Sequence, residues 1–212
     1  MNNQDSIVFL VDDDVGMRES LQDLLASHGL RCTAFDSAQG YIDCDKPEVP
    51  TCLVLDVGLP DINGLELQRQ LVDVDHPPIV FITGQGDIPS SVQAIKAGAV
   101  DFLTKPFRVS DLIAAIRVAI DLDRARRIER AELNGLRDRF DCLTPREREV
   151  LPLVVGGFLN KQAAARLGIS ETTLQIHRSK IMQKMQAESL ASLVRMAAAL
   201  KLSPTTPSKR HI

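Results

Sequence analysis

Three aspartates, a threonine and a lysine are the residues of this chain whose types and placing suggest chemistry. Asp12 and Asp13 follow directly on the apolar run IVFLV, Asp56 ends TCLVLD, Thr83 ends PIVFIT, and Lys105 follows VDFLT. Carboxylates brought together repel one another and tend to hold protons unless a cation joins them. Hard oxygen ligands around an open, wet position favour Mg²⁺ (or Mn²⁺), which keeps waters and takes only a few carboxylates. A metal, an ammonium and a hydroxyl around one carboxylate form a cradle for a phosphoryl group on that carboxylate. Taken singly these residues say little. A threonine ending a strand is ordinary, a lysine before a proline is usually on the surface, and an acidic run suits the start of a helix. Their joint placement at the ends of apolar runs is what carries weight.

The runs explain that placement. IVFLV, TCLVLDV and PIVFITG read as buried strands, with RCTAF and VDFLT completing a set of five. Between them lie helical patterns: VGMRESLQDLLASHG with Gly29 closing it, a weaker helix around 39–44, GLELQRQLVDV after the loop LPDING, DIPSSVQAIKAGA, and a helix from Val109 onward. Strict alternation of strand and helix predicts a parallel sheet with right-handed crossovers. Five units in about 120 residues suit an α/β doubly wound, five-stranded parallel sheet of flavodoxin-like type. In such a sheet all strand C-termini lie at one edge, so Asp12, Asp13, Asp56, Thr83 and Lys105 are expected to converge there.

Charge divides the chain. The net charge of −3 hides −11 over residues 1–122, +1 over 123–141 and +7 over 142–212. An acidic front and a basic back predict two domains with different partners, the second partner polyanionic. The four cysteines show neither C-x-x-C nor zinc spacing and are expected to be reduced. No run is long and apolar enough for a membrane span, and the first residues lack a basic leader, so a cytoplasmic protein is expected.

Residues 123–141 mix both signs and are expected to form a solvated helical linker interrupted near Asn134–Gly135. Thr144-Pro-Arg-Glu147 is a capping box with proline at the first helical position, and Pro152 further along predicts a kink. NKQAAARLG is a short helix closed by Gly168, and Ser170 caps the longer, basic ETTLQIHRSKIMQKM. A short helix, a turn holding glycine and a basic helix have helix-turn-helix geometry. A basic helix is more often a solvated face than a DNA reader; SLASLVRMAAAL forms the last helix, which leaves 142–202 as an all-α domain and 203–212 as a disordered tail.

The front half resembles a response-regulator receiver domain over its whole length: VDD after strand 1, D-x-x-x-P after strand 3, T-G after strand 4 and K-P-F after strand 5. The resemblance implies that Asp56 accepts a phosphoryl group from a sensor histidine kinase. It further implies that Asp12, Asp13, Asp56 and the backbone carbonyl of Gly58 bind Mg²⁺, and that Thr83 and Lys105 contact the phosphoryl oxygens. Phe102 would be the aromatic that turns with Thr83, and Lys105–Pro106 would be cis. Leu59 stands where methionine is frequent and Phe102 where tyrosine is frequent; neither removes a required group. Asp14 is left as a supporting or solvated acid. Residues 143–201 resemble the LuxR-type DNA-binding domain in LTPRE-x-EVL, NKQAA–LGIS and T-x-x-x-H-R-x-x-I-x-x-K. The pairing is that of the NarL/FixJ transcription factors, and GQGDIPSSVQAIKAGAVDFLTKPF places the chain near FixJ.

In that domain Gln175, Ile176 and Ser179 match positions that face bases; glutamine pairs with adenine and isoleucine meets a thymine methyl. Thr172 and Thr173, opening the recognition helix, suit phosphate contacts, as do Asn160, Lys161, Arg178, Lys180 and Lys184. For His177, simple packing or a backbone touch has equal merit with a functional role. The implied partners are a histidine kinase, promoter DNA, RNA polymerase, and a second copy of the chain once Asp56 is phosphorylated. Two rivals remain open. One is a DNA-binding regulator controlled by concentration alone. The other is a Mg²⁺-dependent phosphatase with Asp56 as nucleophile, which leaves the basic half without a role.

Overall fold

The computed structural model describes residues 6–71, 76–84, 88–203 and 205. Two compact units, Met1–Ile128 and Glu129–Ile212, divide the chain.

The first unit alternates β1 (Ile7–Val11), α1 (Val15–Ser27), β2 (Arg31–Phe35), α2 (Ala38–Asp43), β3 (Thr51–Asp56), α3 (Gly64–Leu71), β4 (Ile79–Thr83), α4 (Ile88–Lys96), β5 (Asp101–Thr104) and the part of α5 (Val109–Asp141) up to Ile128. All strand pairs are parallel, in the order β2-β1-β3-β4-β5. This is the flavodoxin-like order, whose reversal of direction lies between β1 and β3. Side chains of a strand alternate between faces. Val8, Leu10, Val54, Val80 and Ile82 meet Leu21 and Leu25 of α1 and Leu112, Ile116 and Ile120 of α5. Phe9, Val11, Leu53, Leu55 and Phe81 meet Tyr41, Leu67 and Ala94 on the opposite face. Covered on both sides, every residue of β3 is buried, which is why it is apolar from Cys52 to Leu55.

Register sets the site. Val11 pairs with Leu55 and Asp56 with Ile82, so Asp12, one residue past β1, comes level with Asp56, and Thr83 follows one step on. At the other end of β3, the buried Asp123 of α5 accepts from Thr51 N (2.8 Å), Thr51 Oγ1 (3.2 Å) and Arg127 Nε (2.7 Å). Residues 123–128 of the expected linker therefore pack as part of the first unit.

α5 is continuous through Asn134 and Gly135, contrary to the expected interruption. A helical glycine costs only about 1 kcal/mol. The local sequence offsets that cost: Arg137 Nη1 donates to Asn134 Oδ1 (3.2 Å), and Arg139 Nε donates to the Gly135 carbonyl (3.1 Å).

The second unit adds α6 (Pro145–Val155), α7 (Asn160–Leu167), α8 (Glu171–Lys184) and α9 (Leu190–Ala199). They enclose Val150, Leu151, Val154, Leu174, Ile181, Met185 and Leu193. The capping box is formed: Thr144 Oγ1 accepts Glu147 N (3.3 Å), and Glu147 Oε2 accepts Thr144 N (2.9 Å). Pro152 lies inside α6, which closes at Gly156. Of the expected disordered tail, 204 and 206–212 lie outside the described residues. Within that stretch the Thr205 N–H donates to the Pro152 carbonyl (3.1 Å). Glycine at 156 permits this approach, since a Cβ there would stand 1.7 Å from the Thr205 carbonyl oxygen. No helix among the described residues is long and apolar enough to cross a membrane.

Candidate functional site

Lys105 is the centre of the acidic site. Its Nζ lies 2.6 Å from Asp12 Oδ2 and 2.8 Å from Asp56 Oδ2, bridging the ends of β1 and β3. The remaining oxygens are held by backbone donors: Asp12 Oδ1 accepts Asp14 N (2.9 Å), and Asp56 Oδ1 accepts Gly58 N (3.1 Å). Asp13 is exposed, and one carboxylate oxygen from each of Asp12, Asp13 and Asp56 lies within 4.8 Å of the others. Thr83 is buried at the end of β4, and its carbonyl accepts Lys105 N (2.7 Å). The Lys105–Pro106 peptide is cis.

Electrostatics follow from burial and pairing. Burial pushes the Asp12 carboxyl above its ordinary range, against the pull of Lys105 and the Asp14 N–H. For Lys105, burial acts to lower the ammonium, but its bonds to Asp12 and Asp56 outweigh this and hold it above the ordinary lysine value. A carboxylate whose charged form burial disfavours is a group that a divalent cation would relieve. The donors are hard oxygens, and Asp13 faces solvent, where water can complete a coordination sphere. These residues fit a divalent metal.

Two neighbours take fixed roles. Asp14 is the N-cap of α1, its Oδ1 accepting Met17 N (2.9 Å), so it caps a helix and supplies no ligand atom to the cluster. Arg18 Nη1 donates to the Asp12 carbonyl (2.7 Å) and holds the backbone from which Asp12 and Asp13 project. Phe102 is half-buried on β5, its ring 6.0 Å from that of Phe81 at the paired position of β4.

In the second unit, α7 ends at Gly168 in the left-handed region (φ 65°), and Ser170 Oγ caps α8 by accepting Thr173 N (3.0 Å). Leu174, Ile181 and Met185 turn inward, while Thr172, Gln175, Ile176, Ser179 and Lys180 are exposed. Ile176 is 52% exposed. Arg178 Nη1 bonds Asn160 Oδ1 (3.1 Å), bringing two of the expected phosphate contacts together beside the exposed Lys161. Thr173 is partly committed, its hydroxyl 2.8 Å from Ser170 Oγ. Lys184, another of the expected phosphate contacts, already has partners within the domain. Its Nζ pairs with the buried Glu147 (2.7 Å) and the Cys142 carbonyl (3.1 Å), closing α8 onto the start of α6. His177 is half-buried, and its Nδ1 has no partner among the described residues.

Residues 8–117 match the response regulator receiver domain family, and 141–197 match the bacterial regulatory proteins of the luxR family. Nodulation protein W of Bradyrhizobium diazoefficiens is 48% identical over 199 residues, covering 93% of this chain and 88% of that protein. The transcriptional regulatory protein FixJ of Rhizobium meliloti is 41% identical over 203 residues, covering 95% and 99% respectively. The chain is a two-component response regulator of the NarL/FixJ family. Among solved structures, the response regulator StyR matches at 45% identity and a TM-score of 0.81, over 92% of this chain and 98% of that one.

The regulator is thus a DNA-binding transcriptional regulator built from a receiver and a LuxR-type domain. Sequence reasoning missed two supports of its site. Gly64 is one: a Cβ there would stand 2.5 Å from the Asp56 carbonyl oxygen, so the chain end of β3 and the start of α3 can close only on glycine. Arg18, bonded to the Asp12 carbonyl, is the other. A glycine after the loop LPDIN gave some signal; nothing in the sequence shows which carbonyl a surface arginine will find.

Proposed function

We propose that Asp56 accepts a phosphoryl group from a phosphohistidine of a sensor kinase, and that this controls dimerisation and promoter binding. The observation supporting it is the Lys105 ammonium held between Asp12 and Asp56. In the transfer an Asp56 carboxylate oxygen attacks phosphorus, an O–P bond forms as the N–P bond breaks, and the leaving imidazole carries the electron pair away. Lys105 exchanges its bond to Asp56 for one to a phosphoryl oxygen, and the Thr83 hydroxyl donates to another. Asp12, Asp13, Asp56 and the Gly58 carbonyl would hold Mg²⁺ (or Mn²⁺). When bound, the metal neutralises charge developing on the phosphoryl oxygens.

Thr83 drawn inward frees space for Phe102 to turn, altering α4, β5 and α5. On α4, Ile88, Val92 and Ile95 recur at helical spacing and are 79%, 45% and 46% exposed, an apolar stripe suited to a second copy. Two α8 helices then meet half-sites about one helical turn apart. Gln175, Ile176 and Ser179 face bases; Asn160, Lys161, Thr172, Arg178 and Lys180 hold phosphates, with Thr173 adding what its cap leaves free. RNA polymerase is the further partner at the promoter. Within this scheme 1–122 act as receiver, 123–141 as helical connector and 142–202 as the DNA-binding domain in the cytoplasm.

The test is labelling with a small phosphodonor and Mg²⁺, read by intact mass and compared with Asp56→Ala. One added phosphoryl group that is absent from the variant is expected. An unlabelled wild type would leave a regulator governed by its concentration alone.

A further inference from the structure

The loop from Val57 to Asn63 carries Gly58, and three attachments fix it. Gly64 N donates to the Val57 carbonyl (3.0 Å), closing the loop at its neck. Leu59 is buried among Phe9, Tyr41 and Leu65, anchoring the loop from beneath. The third attachment is polar and crosses to another element. Asp61 Oδ2 accepts Gln39 N in the first turn of α2 (3.0 Å), while its Oδ1 accepts Ile62 N (3.0 Å). Gln39 and Asp61 are 22 residues apart in the chain.

We propose that Asp61 is a positioning residue for the metal site, tying the loop that presents the Gly58 carbonyl to the N-terminus of α2. This rests on the reading of Asp12, Asp13, Asp56 and Gly58 as metal ligands. Three features argue for a role beyond capping. α2 has a local cap in Ser37 Oγ, which accepts Gly40 N (3.4 Å); Asp61 satisfies a second free N–H of the same turn from a segment 22 residues away, so the bond ties two elements as well as capping one. Gly58 itself is exposed and has no side chain to anchor it; its N–H bonds Asp56 Oδ1, and its carbonyl direction depends on how the rest of the loop is held. Asp61 also prefers its charged form. Burial would raise its carboxyl, but the N–H groups of Gln39, Ala38, Asp61 and Ile62 outweigh this and hold it below the ordinary carboxylate range. The tether is therefore ionic and persists at neutral pH. Groups that orient a metal ligand from outside the coordination sphere typically change metal affinity without touching the metal.

The full-length protein, titrated with Mg²⁺ alone by calorimetry, tests this. Asp61→Ala is expected to raise the dissociation constant about tenfold, the low end for outer-sphere supports. Asp61→Asn keeps one acceptor oxygen and is expected to fall between that value and wild type. Labelling with a small phosphodonor should show the same split: more Mg²⁺ for half-maximal rate, but a wild-type rate at saturating Mg²⁺. Unchanged Mg²⁺ affinity in both variants overturns the proposal, as does a lower rate that saturating Mg²⁺ does not restore. Because Asp61 is exposed, Asp61→Asn serves should the alanine variant fold poorly. Wild type measured beside Asp56→Ala separates the two readings: absent labelling there faults the phosphoacceptor, whereas labelled wild type with indifferent Asp61 variants faults the tether.

Discussion

Lys105 is asked to do two things that conflict, and its position allows both. It neutralises Asp12 and Asp56 together; in the proposed transfer it would face the phosphoryl group. Lys105→Ala is expected to slow acyl-phosphate formation about a hundredfold or more at saturating Mg²⁺, the scale for removing one donor from a charge-stabilising site. Initial rates of labelling by mass measure this. Gly64 makes a different demand, one of space alone. Gly64→Ala places a methyl 2.5 Å from the Asp56 carbonyl oxygen, and backbone must move. Destabilisation of about 1–3 kcal/mol is expected from such overpacking, read by urea unfolding, together with slower labelling of the displaced Asp56.

At the scale of elements, two helices carry predictions. α5 runs through Gly135 with space for a Cβ, since nothing lies within 4 Å of it and its φ is not positive. Gly135→Ala is expected to stabilise the helix by about 0.5–1 kcal/mol, seen as slower hydrogen exchange across 130–140. A tether interrupted there would show no such protection. α6 begins on Glu147, whose buried carboxylate is shared by Thr144 N and Lys184. Burial would raise its carboxyl, but those bonds outweigh it and hold the folded value below the ordinary 4.5. A lowered value contributes stability above the unfolded pKa and loses it as pH falls through the folded one. Hydrogen exchange in the first turn of α6 and last turn of α8 should therefore accelerate below about pH 4.5. In Glu147→Gln that acid step is expected to flatten, with protection already reduced at pH 7.

For the whole molecule, −11 over residues 1–122 and +7 over 142–212 predict that DNA affinity depends on salt through the second unit. Lys161→Ala is expected to weaken binding alike on all sequences and reduce the salt slope by about one. Gln175→Ala should instead relax preference at one base position and leave the slope unchanged. Fluorescence anisotropy on selected and scrambled duplexes at several salt concentrations distinguishes them. Equal effects of the two variants would remove the division into phosphate and base contacts.

Five strand ends, the capping box at Thr144 and the glycine turn before α8 were legible because each follows from local pattern. Apolar runs fix strands, period fixes helices, and parallel order sends every strand C-terminus to one edge. Asp12, Asp13, Asp56, Thr83 and Lys105 could thus be placed together from the sequence alone. Only tertiary structure showed that Asp14 caps α1, that Lys184 is spent on Glu147, that Asp123 belongs to β3, and that Asp61 reaches α2. The reason is the same in each case. A charged side chain on a helix or loop has several donors or acceptors within reach of its length. Which one it meets depends on where another segment, tens of residues away, comes to rest.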